Sequence, residues 1–240
     1  MSREKRIFKI LEKVYGNKYP WIEVRKTLKA EKFPTRENDF YNPFKNLVIG
    51  ILSQNTNDRN STKAYVNLSR KFKIAPHTLA NANEKQIANA IKTGGLYNIK
   101  AKRIKQLAKV IMKKYNKNLK ELVNLPEKES RKKLLELPGI GDKTADVFLA
   151  YCSKKFVLPV DTHINRVTKR LGIASPKANY REVQESLKRV LARKKRVRWH
   201  EILIMFGREI CWARKPKCYT CPIERLCRYE NKNLKILDIK

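Results

Sequence analysis

The chain has 240 residues, of which 56 are lysine or arginine and 22 are aspartate or glutamate, giving a formal net charge of +34. This length is enough to bury the core of one large domain or of two small ones. So large a positive excess indicates a polyanionic partner. The basic residues are spread along the chain, and no apolar run of ~20 residues occurs, which favours nucleic acid over a membrane.

The first forty residues suggest an intracellular protein with two structural units. The charged amino terminus, residues 1–6, is not followed by an apolar signal core, so we expect no secretion and a reducing compartment. An amphipathic helix is predicted over about residues 3–15. Residues 17–42 are rich in Pro, Lys and Glu, and this composition predicts a connection that crosses between two units.

Apolar residues recur at steps of three and four along most of the chain, and no stretch alternates at period two for long enough to form a strand. This pattern predicts an all-α fold. A helix should begin at Pro43, and others should cover residues 99–115 and 199–210. Asn83 can cap a helix, and either Ser175 or Asn179 can begin another.

The stretch LPGIGDKTA at residues 137–145 predicts a hairpin between two helices. Pro138 blocks continuation of the preceding helix, and Gly139 and Gly141 flank Ile140 in a turn that can reach positive φ. Exposed backbone amides beside the positive end of a helix dipole suit a phosphate. Such a contact does not depend on the base sequence of a nucleic acid.

Lys143 is the candidate nucleophile of this hairpin. Asp142 is a plausible N-cap for a helix that opens at Lys143. A lysine in the first turn lies at the unfavourable end of the helix dipole, so its pKa should be lowered if it is also partly desolvated. A neutral amine can attack an electrophilic carbon and form a Schiff base. On spacing alone, the alternative of a phosphate-binding or solvated lysine stays open.

A second helix start follows Pro159. Asp161 is positioned to cap a helix that continues through Ile164 and Val167, and Gly172 is expected to end it.

Four of the five cysteines form a compact C-x6-C-x2-C-x5-C pattern, which argues for metal binding over disulfides in an intracellular chain. Four thiolates at this spacing can hold a tetrahedral zinc ion or an iron-sulfur cluster, and the spacing does not decide between them. Zinc modules usually show two C-x2-C pairs, and here there is one. The fifth cysteine, Cys152, is expected to be an inert core residue. The four clustered cysteines are Cys211, Cys218, Cys221 and Cys227.

Taken together, the motifs resemble the endonuclease III family of helix-hairpin-helix DNA glycosylases over nearly the whole chain. Residues 137–145 resemble the family hairpin with its catalytic lysine, and VDTH at 160–163 resembles the catalytic aspartate segment. GLYN-x-KA at 95–101 and LSQ at 52–54 resemble the loops that enter DNA around the extruded nucleotide. The cysteine pattern at 211–227 resembles the four-iron, four-sulfur spacing of the family.

The resemblance implies two helical domains with a DNA-binding cleft between them. One is a six-helix barrel domain with the helix-hairpin-helix motif, at 42–155. The other is a discontinuous iron-sulfur cluster domain, at 1–41 and 156–240, in which the four clustered cysteines hold a [4Fe-4S] cluster. It also implies a monomer that acts on duplex DNA containing a damaged base or an abasic site, in the cytoplasm and associated with the nucleoid.

The activity implied is that of a bifunctional DNA N-glycosylase and AP lyase for oxidised pyrimidines, with Lys143 and Asp161 as catalytic residues. The DNA strand would be cut 3′ to the abasic site by β-elimination through a lysine Schiff base. Two alternatives are a mismatch-specific thymine or uracil glycosylase and a non-enzymatic DNA-binding protein with a structural metal site. The residues that the resemblance places on DNA are Gln54, Leu96, Tyr97, Gly139, Ile140, Gly141, Thr144 and His163.

Three of these residues also have simpler interpretations. Leu96 can merely cap a helix end, with Tyr97 packed beside it, and His163 can be a hydrogen-bonded structural residue. A capping role of Asp161, by contrast, is compatible with catalysis.

Overall fold

The computed structural model describes residues 1–18, 22–32, 37–116 and 118–234. All regular elements within these ranges are helices, which confirms the predicted all-α fold. None of the described helices is long and apolar enough to cross a membrane. The α-helices are α1 (Arg3–Tyr15), α2 (Ile22–Ala30), α3 (Glu37–Tyr41), α4 (Pro43–Leu52), α5 (Asp58–Lys71), α6 (Pro76–Asn81), α7 (Glu84–Ala90), α8 (Tyr97–Lys114), α9 (Lys120–Asn124), α10 (Glu127–Leu135), α11 (Asp142–Tyr151), α12 (Thr162–Arg170), α13 (Tyr180–Val190) and α14 (Arg196–Glu209).

The chain divides into two compact units, one formed by Met1–Pro20 with Phe156–Lys240 and the other by Trp21–Lys155. We call them the discontinuous unit and the central unit. Their assignment to a cluster domain and a barrel domain with the bounds given above stays a prediction.

The segment predicted as a connection, 17–42, contains two helices, although its residues 19–21 and 33–36 lie outside the described ranges. Helix α2 packs against α5, and α3 packs against α4. Glu31, just after α2, pairs with Arg70 and Lys63 of α5 at 3.1 and 3.6 Å. Composition predicted a connection here and did not predict the helices; the division between the two units falls within this segment, and Glu31 holds α2 against α5.

Three helices position the functional loops of the central unit. Helix α8 packs against α4, α6 and α7, and α11 packs against α4 and α10. Their apolar faces form a core in which Leu47, Ile51, Ile104 and Phe148 are fully buried. The end of α4, the start of α8 and the start of α11 are thereby fixed by one core.

In the discontinuous unit, α14 packs against α1 and α12, and α12 packs against α13. Phe8 and Trp199 meet edge to face at 4.8 Å between ring centroids. The predicted cap of α12 is confirmed, because the Asp161 carboxylate accepts a hydrogen bond from the Ile164 amide at 2.8 Å. Of the two predicted starts for α13, Asn179 is the N-cap residue, in a capping box with Glu182.

Candidate active site

The hairpin joins α10 to α11 and uses only one of its two glycines as predicted. Gly139 has φ +77°, a left-handed conformation, and a Cβ added there would lie 3.0 Å from Cδ of Arg103. Gly141 has φ −105° and ψ −177°, an extended conformation that any residue can adopt. The expectation that both glycines serve positive φ is therefore wrong for Gly141, which is exposed and has open space at its Cα.

Asp142 does not cap α11, contrary to the prediction. The N-cap residue is Gly141, which has no side chain, and Asp142 is the first residue of the helix. The Asp142 carboxylate is drawn away from the first-turn amides because it pairs with the Arg131 guanidinium. The amino end of α11 thus has no local side-chain cap, and this favours a bound anion at the positive end of its dipole.

Arg131 compensates the acidic charge around the candidate nucleophile. Its Nε lies 2.8 Å from Oδ1 of Asp146, a residue that is 0% exposed. Burial opposes the charge of Arg131, but hydrogen bonds and charges from Asp142 and Asp146 outweigh this effect and raise its pKa. Lys143, in the first turn of the same helix, is half-buried. Two carboxylates near this lysine are therefore paired with a fixed cation.

Two of the predicted DNA-contacting residues point into the protein. Thr144 is 4% exposed, and a Cβ added at Gly50 of α4 would lie 2.5 Å from its Cγ2. Ile140 is 6% exposed. Any contact of these two residues with DNA would therefore have to use the backbone.

Gln54 is tied to the hairpin. Its Nε2 donates to the carbonyl of Gly139 at 2.8 Å, and its Oε1 accepts from Nη1 of Arg103 at 3.0 Å. The central unit therefore brings together the loop after α4 and the hairpin, which are 85 residues apart in sequence.

Leu96 stands at the tip of the loop before α8 in a conformation that leucine seldom adopts. Its φ of +49° lies in the left-handed region, which costs a residue with a Cβ ~1–2 kcal/mol. The side chain is 51% exposed, as is that of Ile99, while Tyr97 is half-buried. Leu96 does occupy the N-cap position, but it makes no side-chain capping hydrogen bond there. Strain at an exposed apolar residue points to a function.

In the discontinuous unit, His163 is packed rather than open. Its Nδ1 lies 3.1 Å from Nη2 of Arg166, and a Cβ added at Gly207 would lie 2.9 Å from its Cβ. Burial lowers the pKa of the His163 imidazole, so the ring is neutral at physiological pH. Its predicted contact with phosphate stays a prediction. Asp161, the N-cap of α12, is half-buried.

The four clustered cysteines line one cavity. Among the described residues, no three His, Cys, Asp or Glu side chains are arranged as ligands of a single metal ion. Burial raises the pKa of the Cys221 thiol to about 12 and also raises the pKa of Cys227. Such thiols become thiolates when a metal centre supplies the compensating charge. The described side chains thus form no single-ion site, but four soft donors lining one cavity are the donor set of a thiolate-bound cluster of several metal ions. Cys152 was predicted to be an inert core residue; it is half-buried and not part of the core, but burial raises its pKa to about 12, as expected of an inert thiol.

Two arginines of α12 hold the loop that carries the first of these cysteines. Arg166 donates to the Cys211 carbonyl at 2.9 Å. Arg170 donates to the Trp212 and Ala213 carbonyls at 2.6 and 2.9 Å, and its Nη1 lies 3.5 Å from Sγ of Cys211. The helix capped by Asp161 is thus joined to the cysteine loop.

Sequence reasoning missed the roles of Arg103 and Arg131. Each acts on a residue that is distant in sequence, so no local spacing marks it among 56 basic residues. Lys100, a buried residue of α8, was part of the motif GLYN-x-KA at 95–101, but the motif assigned it no role of its own.

Comparison with known proteins places the chain in a family. The model of the HhH-GPD superfamily of base excision DNA repair proteins matches residues 48–193. Endonuclease III of Escherichia coli strain K12 is 35% identical over 219 residues, which cover 90% of this chain and 98% of that protein. The chain belongs to the endonuclease III family.

Solved structures agree with this assignment. A trapped endonuclease III–DNA covalent intermediate, an estranged-adenine complex, superposes with a TM-score of 0.77 at 28% identity, covering 95% of this chain and 96% of that one. A thermostable thymine-DNA glycosylase gives a TM-score of 0.74 at 26% identity, with the same coverage of both chains. The all-helical fold is therefore that of endonuclease III. The superfamily match includes Lys143 and Asp161 and ends before the four clustered cysteines.

We predict that Arg131→Met lowers the free energy of unfolding by about 3 to 5 kcal/mol, because it leaves the carboxylate of Asp146 buried without its cation. Urea unfolding followed by circular dichroism measures the change. Adding Asp146→Asn should recover a large part of the loss, since the buried charge is then removed. Lys132→Met, at an exposed neighbour, should change stability by less than about 0.5 kcal/mol. Equal losses in the single and double variants would show that Arg131 does not stabilise the protein by pairing with Asp146.

Proposed function

We propose that this member of the endonuclease III family is a bifunctional DNA N-glycosylase and AP lyase of base excision repair. Its substrate would be duplex DNA containing an oxidised pyrimidine or an abasic site, on which it would act as a monomer associated with the nucleoid. The observation that carries the proposal is the placement of Lys143 in the first turn of α11, directly after the hairpin. The N-cap residue of this helix is a glycine.

The first step is extrusion of the damaged nucleotide, which costs a few kcal/mol and is least costly at a lesion. Leu96 is suited to enter the base stack because it is apolar and 51% exposed, at a position of left-handed backbone conformation. Gln54 would meet the unpaired base with its amide, exchanging its contacts with Gly139 and Arg103 for contacts with the base. The hairpin amides would hold a phosphate beside them and so fix the position of the sugar.

In the chemical step, the neutral amine of Lys143 attacks C1′ of the extruded nucleotide, and the base leaves with the electrons of the glycosidic bond. Opening of the sugar ring gives an iminium ion, the protonated Schiff base. Loss of a proton from C2′ then expels the 3′ phosphate by β-elimination, and water releases the lysine. Asp161 assists by stabilising the cationic sugar or by moving the proton of the lysine.

Arg131 supports this chemistry from a distance. An uncompensated carboxylate near Lys143 would favour its protonated, unreactive form. Because Arg131 pairs with both Asp142 and Asp146, we infer that the lysine experiences less of their negative charge. The negative charge that Asp142 and Asp146 add around the lysine is thereby offset by a residue outside the hairpin motif.

We further propose that the four clustered cysteines hold a [4Fe-4S] cluster. When bound, such a cluster supplies a rigid cross-link between segments of the cysteine loop. Arg214, Lys215 and Lys217 lie between the first two cysteines, so an ordered loop would present positive charge to DNA phosphates. Each phosphate that it neutralises should steepen the salt dependence of binding by ~0.9 in log–log slope.

A second candidate function is removal of mismatched thymine or uracil, which the structural similarity to a thymine-DNA glycosylase supports. The presence of Lys143 favours the lyase instead, because similar branches without this lysine are glycosylases that do not cleave the strand. A panel of duplexes with thymine glycol, a G·T mismatch or a G·U mismatch separates the two candidates by the base released and by strand cleavage.

We predict that the protein forms a covalent adduct when sodium borohydride is added to it on duplex DNA with one abasic site, and that Lys143→Gln lowers adduct formation by at least roughly 10³-fold. Borohydride reduces the Schiff base to a stable amine, which gel electrophoresis detects as a slower band. Lys132→Gln, an exposed substitution of the same kind, is the matched control and should leave the adduct unchanged.

Three other outcomes would redirect the assignment. Base release without an adduct would indicate a monofunctional glycosylase. Binding of DNA without any change would favour a non-enzymatic DNA-binding protein. An adduct that persists in Lys143→Gln would assign the amine to a different residue.

Asp161→Asn should separate capping from catalysis, because asparagine caps helices as well as aspartate does but carries no charge. We expect the free energy of unfolding to change by less than about 1 kcal/mol, while single-turnover release of thymine glycol falls by roughly 10²–10⁴-fold. Stopped reactions with enzyme in excess measure the chemical step. Loss of activity in proportion to loss of folded protein would instead assign Asp161 a structural role alone.

The purified protein should be brown, with iron and acid-labile sulfide in equal amounts, and Cys221→Ser should abolish the colour because one thiolate ligand is lost. Metal analysis and visible absorption make the measurement, with Cys152→Ser as the control that retains the colour. A colourless protein containing stoichiometric zinc would show that the four clustered cysteines form a structural zinc site and hold no iron–sulfur cluster.

A further inference from the structure

Lys100 is a lysine inside the core of the central unit. It is 1% exposed and is among the largest fully buried side chains of the described residues. Its Nζ donates to the carbonyls of Leu52 and Gly94, each at 2.8 Å. One ammonium group therefore joins two segments that are 42 residues apart in sequence.

Both carbonyls lie at helix ends. Leu52 is the last residue of α4, and Gly94 is the last residue of a 3-10 turn, Lys92–Gly94. The carbonyls at such ends lack partners within their own helix and carry the negative end of its dipole. They suit a cation that can donate to both, as a lysine ammonium does.

The position of this contact relates it to DNA binding. Leu52 precedes Gln54 by two residues, and Gly94 precedes Leu96 by two residues. The Lys100 ammonium group therefore binds the first residue of each of the two loops whose side chains are proposed to enter the duplex. We call residues 52–54 the glutamine loop and residues 94–96 the leucine loop.

The burial of Lys100 costs free energy, which indicates that this lysine has a function. Burying an ammonium group away from water is unfavourable unless hydrogen bonds compensate it, and desolvation lowers the pKa of Lys100. Separate asparagine or serine side chains could satisfy each carbonyl without burying a charge. Separate side chains would not link the two loops. A single lysine that donates to both carbonyls holds the loops at a fixed distance from each other.

We propose that Lys100 is a positioning residue that joins the glutamine loop and the leucine loop into one rigid element, so that Gln54 and Leu96 enter the duplex together. This inference rests on the proposed function. With the loops joined, the gap left by the extruded nucleotide is filled from both sides in one step. With the loops separate, each would have to be ordered on its own when DNA binds.

The test compares Lys100→Met with Lys102→Met, a substitution at an exposed position of the same helix. Methionine keeps much of the volume but leaves both carbonyls without their donor. For Lys100→Met we expect the affinity for a duplex with a tetrahydrofuran abasic analogue to fall about tenfold. Its affinity for the intact duplex should not change beyond the effect of Lys102→Met, because the phosphate contacts remain. Equal losses on both duplexes would overturn the proposal.

A second measurement is the additivity of substitutions in the two loops. General destabilisation of the protein does not change this additivity. Gln54→Ala and Leu96→Ala should lower the affinity for the abasic analogue non-additively when Lys100 is present. In the Lys100→Met background the two losses should become additive within about twofold. Non-additivity that persists in the methionine background would show that Lys100 does not join the loops.

If Lys100→Met does not fold, hydrogen exchange of the unmodified protein tests whether the two loops are joined. The amides of Ser53, Gln54, Gly94 and Gly95 are all hydrogen-bonded, and joined loops should open with one shared free energy. Independent opening of the two pairs would refute the proposal. A protein without preference for the abasic duplex would refute the proposed function instead, and the exchange result would still show whether the loops move together.

Discussion

The polar groups at helix ends are the constraint on which this structure depends. Each α-helix leaves amides at its start and carbonyls at its end that must find partners elsewhere. Several starts are closed by a nearby side chain, whereas the start of α11 follows a glycine and the end of α4 is met by a lysine of α8. The candidate site lies at these two helix ends. Among the described residues, the N-cap side chains that accept a backbone amide are those of Ser2, Asn42, Asn57, Asn83, Asp161 and Asn179.

Features with a local cause could be predicted from the sequence. Asp161 and Asn83 cap helices because a cap and its amide are only two or three residues apart, so that spacing is sufficient to identify them. The hairpin was predictable from Pro138 and Gly139, which respectively block a helix and permit positive φ. The resemblance then added the order of the motifs, and with it the family.

Features with a distant cause could not be predicted. Asp142 has the right type for a cap, but it is the first residue inside the helix, and Arg131, which is in turn fixed by a buried carboxylate, draws its side chain away. The side chains of Thr144 and Ile140 face the core because α11 packs against α4, which no motif states. Helix α2 is held against α5 by ion pairs of Glu31 with Arg70 and Lys63, and charged composition alone does not reveal such pairs. The identity of the metal depends on chemistry that cysteine spacing leaves open.

The contact of Gly50 with Thr144 has a consequence for how related chains can diverge. The methyl group of Thr144 occupies the space where any other residue at position 50 would place its Cβ. The closeness of α4 and α11, and hence the depth at which the hairpin sits, is therefore set by a pair of small groups. Natural sequence variation at these two positions should be correlated, with a larger residue at one accompanied by a smaller residue at the other, even though neither side chain reaches the surface.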